Sequence, residues 1–215
     1  VETSVLSKRW RHLWTFIPVL NLNDSSFDDP SLFQCFVDHV LSRRDASTTL
    51  YVLNLVCQDE LDDGYIVDTI IDYVTLKPCI SNSIQVLSIL AECVLGKLPQ
   101  LSLCQSLTTL KLVDISAEIT TFDFVSLQHL YLSDCRFELG MEQFLDPFKG
   151  CVKLKHLYLH GCQYYGEIER FKISAPELTH FSISWMRVDE QFDSDCVIEL
   201  FTPKLQYFKY SDDSD

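Results

Sequence analysis

Two stretches decide how this chain is read: LQHLYLSDCRF at residues 127–137 and LKHLYLHGCQY at residues 154–164. Both place leucine at their first, fourth and sixth positions, cysteine at the ninth and an aromatic ring at the eleventh. Side chains alternate between the two faces of a strand. Leu130 and Leu132 therefore point one way, and His129 and Tyr131 the other. A lone strand of this length cannot bury its leucines. The pattern makes physical sense only if neighbours stack beside it.

Such neighbours are present. An apolar residue followed by apolar residues three and five positions later occurs at Ile17-Leu20-Leu22, Leu50-Leu53-Leu55, Ile84-Leu87-Ile89 and Leu107-Leu110-Leu112. It recurs at Leu127-Leu130-Leu132, Leu154-Leu157-Leu159, Leu178-Phe181-Ile183 and Leu205-Phe208-Tyr210. The starts differ by 33, 34, 23, 20, 27, 24 and 27 residues. Leucine-rich repeats span roughly 20–29 residues and read L-x-x-L-x-L-x-x-N/C-x-L. The expected fold is α/β: a curved leucine-rich-repeat solenoid with a parallel sheet on the concave side and helices and irregular segments on the convex side. Positions 4 and 6 of each unit should face the core. Cys135 and Cys162, at position 9, should sit inside where the chain turns away and help satisfy backbone groups.

The two long spacings leave room for helices. In LFQCFVDHVLSRR the stripe is Leu32, Phe33, Phe36, Val37, Val40 and Leu41, with Pro30 in the first turn and Asp29 as cap. In DGYIVDTIIDYV it is Ile66, Val67, Ile70, Ile71 and Val74, with Pro78 just beyond. Later units are shorter, so their convex side is expected to be irregular or to hold brief helices such as Met141–Phe148.

Composition narrows the function. The net charge is -14. The opening segment is locally basic through Lys8, Arg9 and Arg11, which leaves the remainder still more acidic and without the basic stripe that nucleic acid requires. The KRWR cluster is too short to define an import signal. No apolar run reaches bilayer-spanning length, and no secretory signal is apparent. The nine cysteines include no C-x-x-C pair. They read as reduced, buried thiols of a cytoplasmic or nuclear protein, which makes the sequon Asn23-Asp24-Ser25 incidental. GxGxxG, GxxxxGK[ST], HExxH and GxSxG are all absent. Carboxylate pairs such as Asp62-Asp63 read as loop charges. No enzyme activity and no cofactor are expected.

The opening VETSVLSKRWRHLWTFIPVLNLND, running directly into the first repeat, resembles the end of an F-box in plant F-box/leucine-rich-repeat proteins of the F-box/FBD type. Thr3, Ser4, Leu6, Ser7, Lys8, Arg9, Trp10, Arg11, Leu13 and Trp14 match T-S-x-L-S-K-R-W-R-x-L-W, and FQCFVDHVLSRRD resembles the family's first helix. The resemblance implies a substrate receptor of an SCF-type (Skp–cullin–F-box) ubiquitin ligase. An F-box grips a Skp-type adaptor and through it the cullin, the repeats hold an unknown protein substrate, and catalysis resides in partner subunits. The family's Leu-Pro-led opening helices are not in this sequence. The chain is therefore expected to be a fragment, with an F-box remnant at 1–16, the solenoid at 17–211 and an acidic tail at 212–215. Within the remnant, Val5, Leu6, Trp10, Leu13 and Trp14 would line one helical side against the adaptor or the first repeat. The alternative is a truncated repeat scaffold that binds protein without recruiting a ligase.

Positions 3, 5 and 7 should face the concave side. In the first three units they hold Val19, Asn21, Asn23, Val52, Asn54, Val56, Val86, Ser88 and Leu90. In the later units they hold His129, Tyr131, His156, Tyr158, His160 and His180, a polar and aromatic surface suited to protein recognition. Because imidazoles are common metal ligands, a metal site is the competing reading of the histidine ladder. No carboxylate or thiolate is placed to complete it, and the spacing is that of the repeat.

Overall fold

The computed structural model describes residues 13–45, 47–57, 64–94, 98–118, 121–138, 144–165, 170–184, 187–188 and 197–211. In chain order the first half holds β1 (Val19–Asn23), α1 (Pro30–Arg43), β2 (Val52–Cys57), α2 (Tyr65–Leu76), α3 (Pro78–Ser81), β3 (Val86–Val94) and β4 (Thr109–Glu118). The second half holds β5 (His129–Ser133), β6 (Arg136–Glu138), β7 (Phe144–Leu145), β8 (His156–His160), β9 (Gln163–Tyr165), β10 (Arg170–Ser174), β11 (His180–Ser184), β12 (Arg187–Val188), β13 (Val197–Phe201) and β14 (Tyr207–Ser211).

Eight strands, one from each repeat, lie side by side in the order β1-β2-β3-β4-β5-β8-β11-β14, every adjacent pair parallel. The register sets each motif position beside its counterpart: Leu20 by Leu53, Leu87, Leu110, Leu130, Leu157, Phe181 and then Phe208. Leu53, Leu55, Leu87, Ile89, Leu110, Leu112, Leu130 and Leu157 are fully buried, so positions 4 and 6 form a continuous core as the alternation requires.

The last repeat departs from expectation. Phe208 is 51% and Tyr210 62% exposed, although both sit at core positions. Phe208 packs on Phe181 of the preceding unit, but among the described residues no further strand lies beyond β14 to cover it.

In the fourth, fifth and sixth repeats the chain turns at position 8, within β4 and just after β5 and β8. Asp114, Asp134 and Gly161 occupy this position in three successive repeats, with φ of 60°, 53° and 59°. Asp and Gly reach this left-handed conformation at lower cost than most residues. The turn points the next side chain inward: Ile115, Cys135 and Cys162 are all fully buried. The Cys135 thiol lies 3.6 Å from the Leu112 carbonyl oxygen and that of Cys162 lies 3.6 Å from the Leu132 carbonyl oxygen, as a backbone-satisfying position 9 would. Beyond the turn, β6, β9 and β12 continue the ladder in parallel.

The other wall of the core changes character along the chain. In the first half it is helical. Asp29 caps α1 by accepting from the Ser31 amide at 2.8 Å, and Pro30 opens the helix. Phe33, Val37, Val40 and Leu41 are buried, whereas Leu32 points outward and is 57% exposed. The α2 stripe Ile66, Val67, Ile70, Ile71 and Val74 is buried throughout. In the second half, the irregular segments and brief helices expected there give way to a second parallel sheet, β7-β10-β13. The Met141–Phe148 helix is absent where the structure describes it: Phe144–Leu145 is extended and pairs with Arg170 and Phe171, and a turn follows at Pro147. Leu145, Phe148, Phe171 and Ile173 fill the core from this side. A residue preceding proline is biased away from the helical region, and the alternation in RFKIS suits a strand. Among the described residues no helix is long and apolar enough to cross a membrane.

Candidate functional site

Parallel pairing turns motif positions into rows that cross the strands. Position 3 gives Thr109, His129, His156, His180 and Tyr207. Position 5 gives Lys111, Tyr131, Tyr158, Ser182 and Lys209, and position 7 gives Val113, Ser133, His160, Ser184 and Ser211. All lie on the face away from the core, alternating with the buried leucines.

The rows are in contact. The imidazoles of His129 and His156 stack at 4.6 Å between centroids and those of His156 and His180 at 4.4 Å, each pair inclined by 17°. Tyr207 extends the row, 5.8 Å from His180. The Tyr131 and Tyr158 rings stack at 4.5 Å and 9°. His160 hydrogen-bonds through Nδ1 to the Ser184 hydroxyl, and the Thr179 hydroxyl lies 2.9 Å from His180 Nδ1. The first repeats carry a different surface: Asn54 donates from its amide to the Asn21 side-chain oxygen at 2.7 Å, flanked by valines.

Burial, with the Lys155 ammonium beside it, holds His129 below the ordinary imidazole value of 6.5. His156 is lowered by burial, by the two histidines on either side and by Lys155. Burial and the neighbouring phenol of Tyr158 raise Tyr131. Burial and Lys155 both favour the neutral form of His129 and His156. Near-parallel rings direct their nitrogens edgewise instead of toward a common point. Among the described residues no group of three or more His, Cys, Asp or Glu is arranged to hold a metal ion.

All six candidates lie on this one surface: His129, Tyr131, His156, Tyr158 and His180 are half-buried in the stacks, and His160 is exposed. The adaptor candidates divide differently. Val5, Leu6 and Trp10 lie outside the described residues. Leu13 opens a single 3-10 turn, Leu13–Phe16, and Trp14 within it packs against the repeat core.

Sequence reasoning missed Arg44. It is buried at the end of α1, donating from Nε to the Tyr73 hydroxyl at 3.1 Å, from one terminal nitrogen to the Ile17 carbonyl oxygen and from the other to the Thr49 carbonyl oxygen at 3.3 Å. A charge-only reading of SRRD could not separate it from the exposed Arg43 beside it. The cysteines also divide. Cys57, Cys104, Cys135, Cys151 and Cys162 are buried as expected, but Cys35 is exposed on α1.

A parallel sheet with one strand per repeat, in-register motif rows and a turn-and-cysteine corner defines a leucine-rich-repeat protein. The family model for the Leucine Rich Repeat matches residues 126–151, the segment that contains β5 and its corner. Over nearly its whole length the chain is homologous to F-box/LRR and F-box/FBD/LRR proteins of Arabidopsis thaliana. It is 29% identical to F-box/LRR-repeat protein 13 across 99% of this chain and 47% of that protein. To F-box/LRR-repeat protein At4g14103 it is 30% identical across 98% and 56%, and to F-box/FBD/LRR-repeat protein At2g26030 it is 27% identical across 99% and 48%. The chain spans about half the length of the curated relatives it matches. No solved structure matches it.

Proposed function

We propose that this chain recognises a partner protein through the core-averted face of β5, β8 and β11, and that it does so as the substrate-recognition part of an SCF-type ubiquitin ligase. The observation that carries the reading is the pair of stacked rows, His129-His156-His180 and Tyr131-Tyr158. These are rigid, half-exposed aromatic side chains with hydrogen-bonding tips on a fixed sheet. Such groups contribute large contact area at small entropic cost, as interface anchors do. The ligase role is supported by the F-box named in the relatives and by the F-box-like opening sequence. In this reading the Skp-type adaptor contacts Val5, Leu6, Trp10, Leu13 and Trp14, the cullin follows through the adaptor, and the chemistry belongs to partner subunits. The protein works in the cytoplasm or nucleus, without a cofactor and without binding nucleic acid or membrane.

The test has two arms. Proximity labelling from the full-length protein identifies its substrate, and the triple variant Tyr131→Ala/His156→Ala/Tyr158→Ala is expected to lose that substrate while keeping its melting transition. Retained capture would refute the assigned face. Co-purification with a Skp-type adaptor tests the ligase role separately. A chain that captures its partner but never the adaptor is a protein-binding repeat scaffold.

A further inference from the structure

About one residue in seven of this chain is Asp or Glu, and the net charge is -14. Yet no acidic residue occupies position 3, 5 or 7 of any of the eight repeat strands. In the last five strands these positions carry Lys111 and Lys209, four histidines and three tyrosines. The position 5 row is bounded by cations, running Lys111, Tyr131, Tyr158, Ser182, Lys209, with the stacked phenols between them and both lysines exposed.

The carboxylates nearest this face stand at its margin. Asp114 and Asp134 occupy position 8, within β4 and just after β5, and Asp134 accepts from the Ser133 hydroxyl at 2.7 Å. At the opposite margin stands Lys155, the cation felt by both His129 and His156. On an acidic molecule, a face whose outward positions carry lysines and no acidic residue is the part of the surface that repels negative charge least. It would select against the rest of the protein's own surface and for an acidic ligand.

The geometry points to an extended acidic peptide segment laid across β4, β5, β8, β11 and β14, its carboxylates toward Lys111 and Lys209 and an apolar or aromatic residue over the Tyr131–Tyr158 pair. This names the partner chemistry for the recognition face proposed above and rests on that reading. Four inter-strand steps of about 4.8 Å separate the two lysines by roughly 19 Å, which an extended chain at about 3.3 Å per residue covers in about six residues. Nucleic acid fits less well, because two lysines release few counterions and the surrounding surface repels phosphate.

The test is selection of random twelve-residue peptides displayed on phage against the whole chain, followed by fluorescence polarisation with the enriched peptides. Enriched sequences are expected to carry Asp or Glu about six residues apart around an apolar or aromatic centre. Lys111→Glu/Lys209→Glu is expected to weaken their binding by about tenfold or more, and added salt to weaken it in the wild type. Neutral or basic peptides that lose binding to the Tyr131/His156/Tyr158 alanine variant but ignore the charge reversal would overturn the acidic ligand and leave the recognition face standing. Peptides indifferent to both variants would overturn both. Displacement of the peptides by an equal concentration of single-stranded oligonucleotide would overturn the peptide class. Unchanged melting curves for both variants establish that loss of binding is not loss of fold.

Discussion

His129 and His156 stack ring on ring, 4.6 Å between centroids, because parallel pairing places the same motif position of two repeats side by side. His180 covers the other side of His156 at 4.4 Å, so the central imidazole has a histidine on each face. The groups facing it are these two rings and the Lys155 ammonium, with no carboxylate at positions 3, 5 or 7 of the adjoining strands.

The stack makes stability pH-dependent. His129 and His156 are held below their ordinary 6.5, so the folded chain binds fewer protons than the unfolded chain once pH falls beneath that value. Stability is therefore full above about pH 6.5, declines as pH falls through the unfolded value, and levels off below the folded one. The melting temperature is expected to drop between pH 7.5 and 5, and the drop to be shallower in His156→Gln. Parallel pH profiles for the two proteins would contradict it.

Arg44 ties four parts of the N-terminal half together: the end of α1, Tyr73 of α2, the approach to β1 at Ile17 and the approach to β2 at Thr49. Its partners are a phenol and two carbonyls, which lose a charged donor if it is removed. Arg44→Met is expected to cost about 2–4 kcal/mol in denaturant unfolding, and Tyr73→Phe about 1 kcal/mol, because the latter leaves the two carbonyl bonds intact. A cost below about 0.5 kcal/mol for Arg44→Met would show that water replaces it.

The repeat was legible because its period is written in leucines. A buried parallel strand tolerates few alternatives at positions 4 and 6, and a strict period of two then placed His129, Tyr131, His156, Tyr158 and His180 on the opposite face without further information. The second sheet was not legible. Phe144–Leu145 is too short to show alternation although Leu145 is buried, and β13 has Ile198 and Leu200 partly exposed, so neither element stands out in the sequence as a buried strand. Leu32 failed for a related reason: periodicity identifies a stripe about a helix, but only the neighbours decide its width. Arg44 was invisible because its role depends on three distant groups.

The position 8 turn offers a sharper test of the corner. Gly161 has φ +59°, and a Cβ added there would collide with the Asp134 Oδ1 of the preceding repeat. Gly161→Ala combines left-handed strain with this collision and is expected to cost about 1–2 kcal/mol. Asp134→Gly removes the colliding carboxylate and relieves the strain at φ 53°. The double variant should therefore recover part of the loss, and the coupling is read from a double-mutant cycle. Strict additivity of the two changes would mean that the turns act independently.

The thiols should separate by environment in native-state labelling. Burial raises Cys104 and Cys151 to about 11, so almost no thiolate exists at pH 8. A hydrogen bond to Cys135, reinforced by burial, pushes the Cys162 thiol well above its ordinary range, while that bond holds Cys135 lower. Cys135 nevertheless stays inert through exclusion, because no part of it reaches solvent. Cys35 is exposed on α1. Pulsed alkylation at pH 8 with peptide mapping is expected to modify Cys35 first and to reach Cys104, Cys135, Cys151 and Cys162 only at the rate of unfolding. Added denaturant should accelerate the slow group and leave Cys35 unchanged. Early modification of Cys135 would mean that the corner opens locally, and would break the link between position 9 burial and the stability of the repeat.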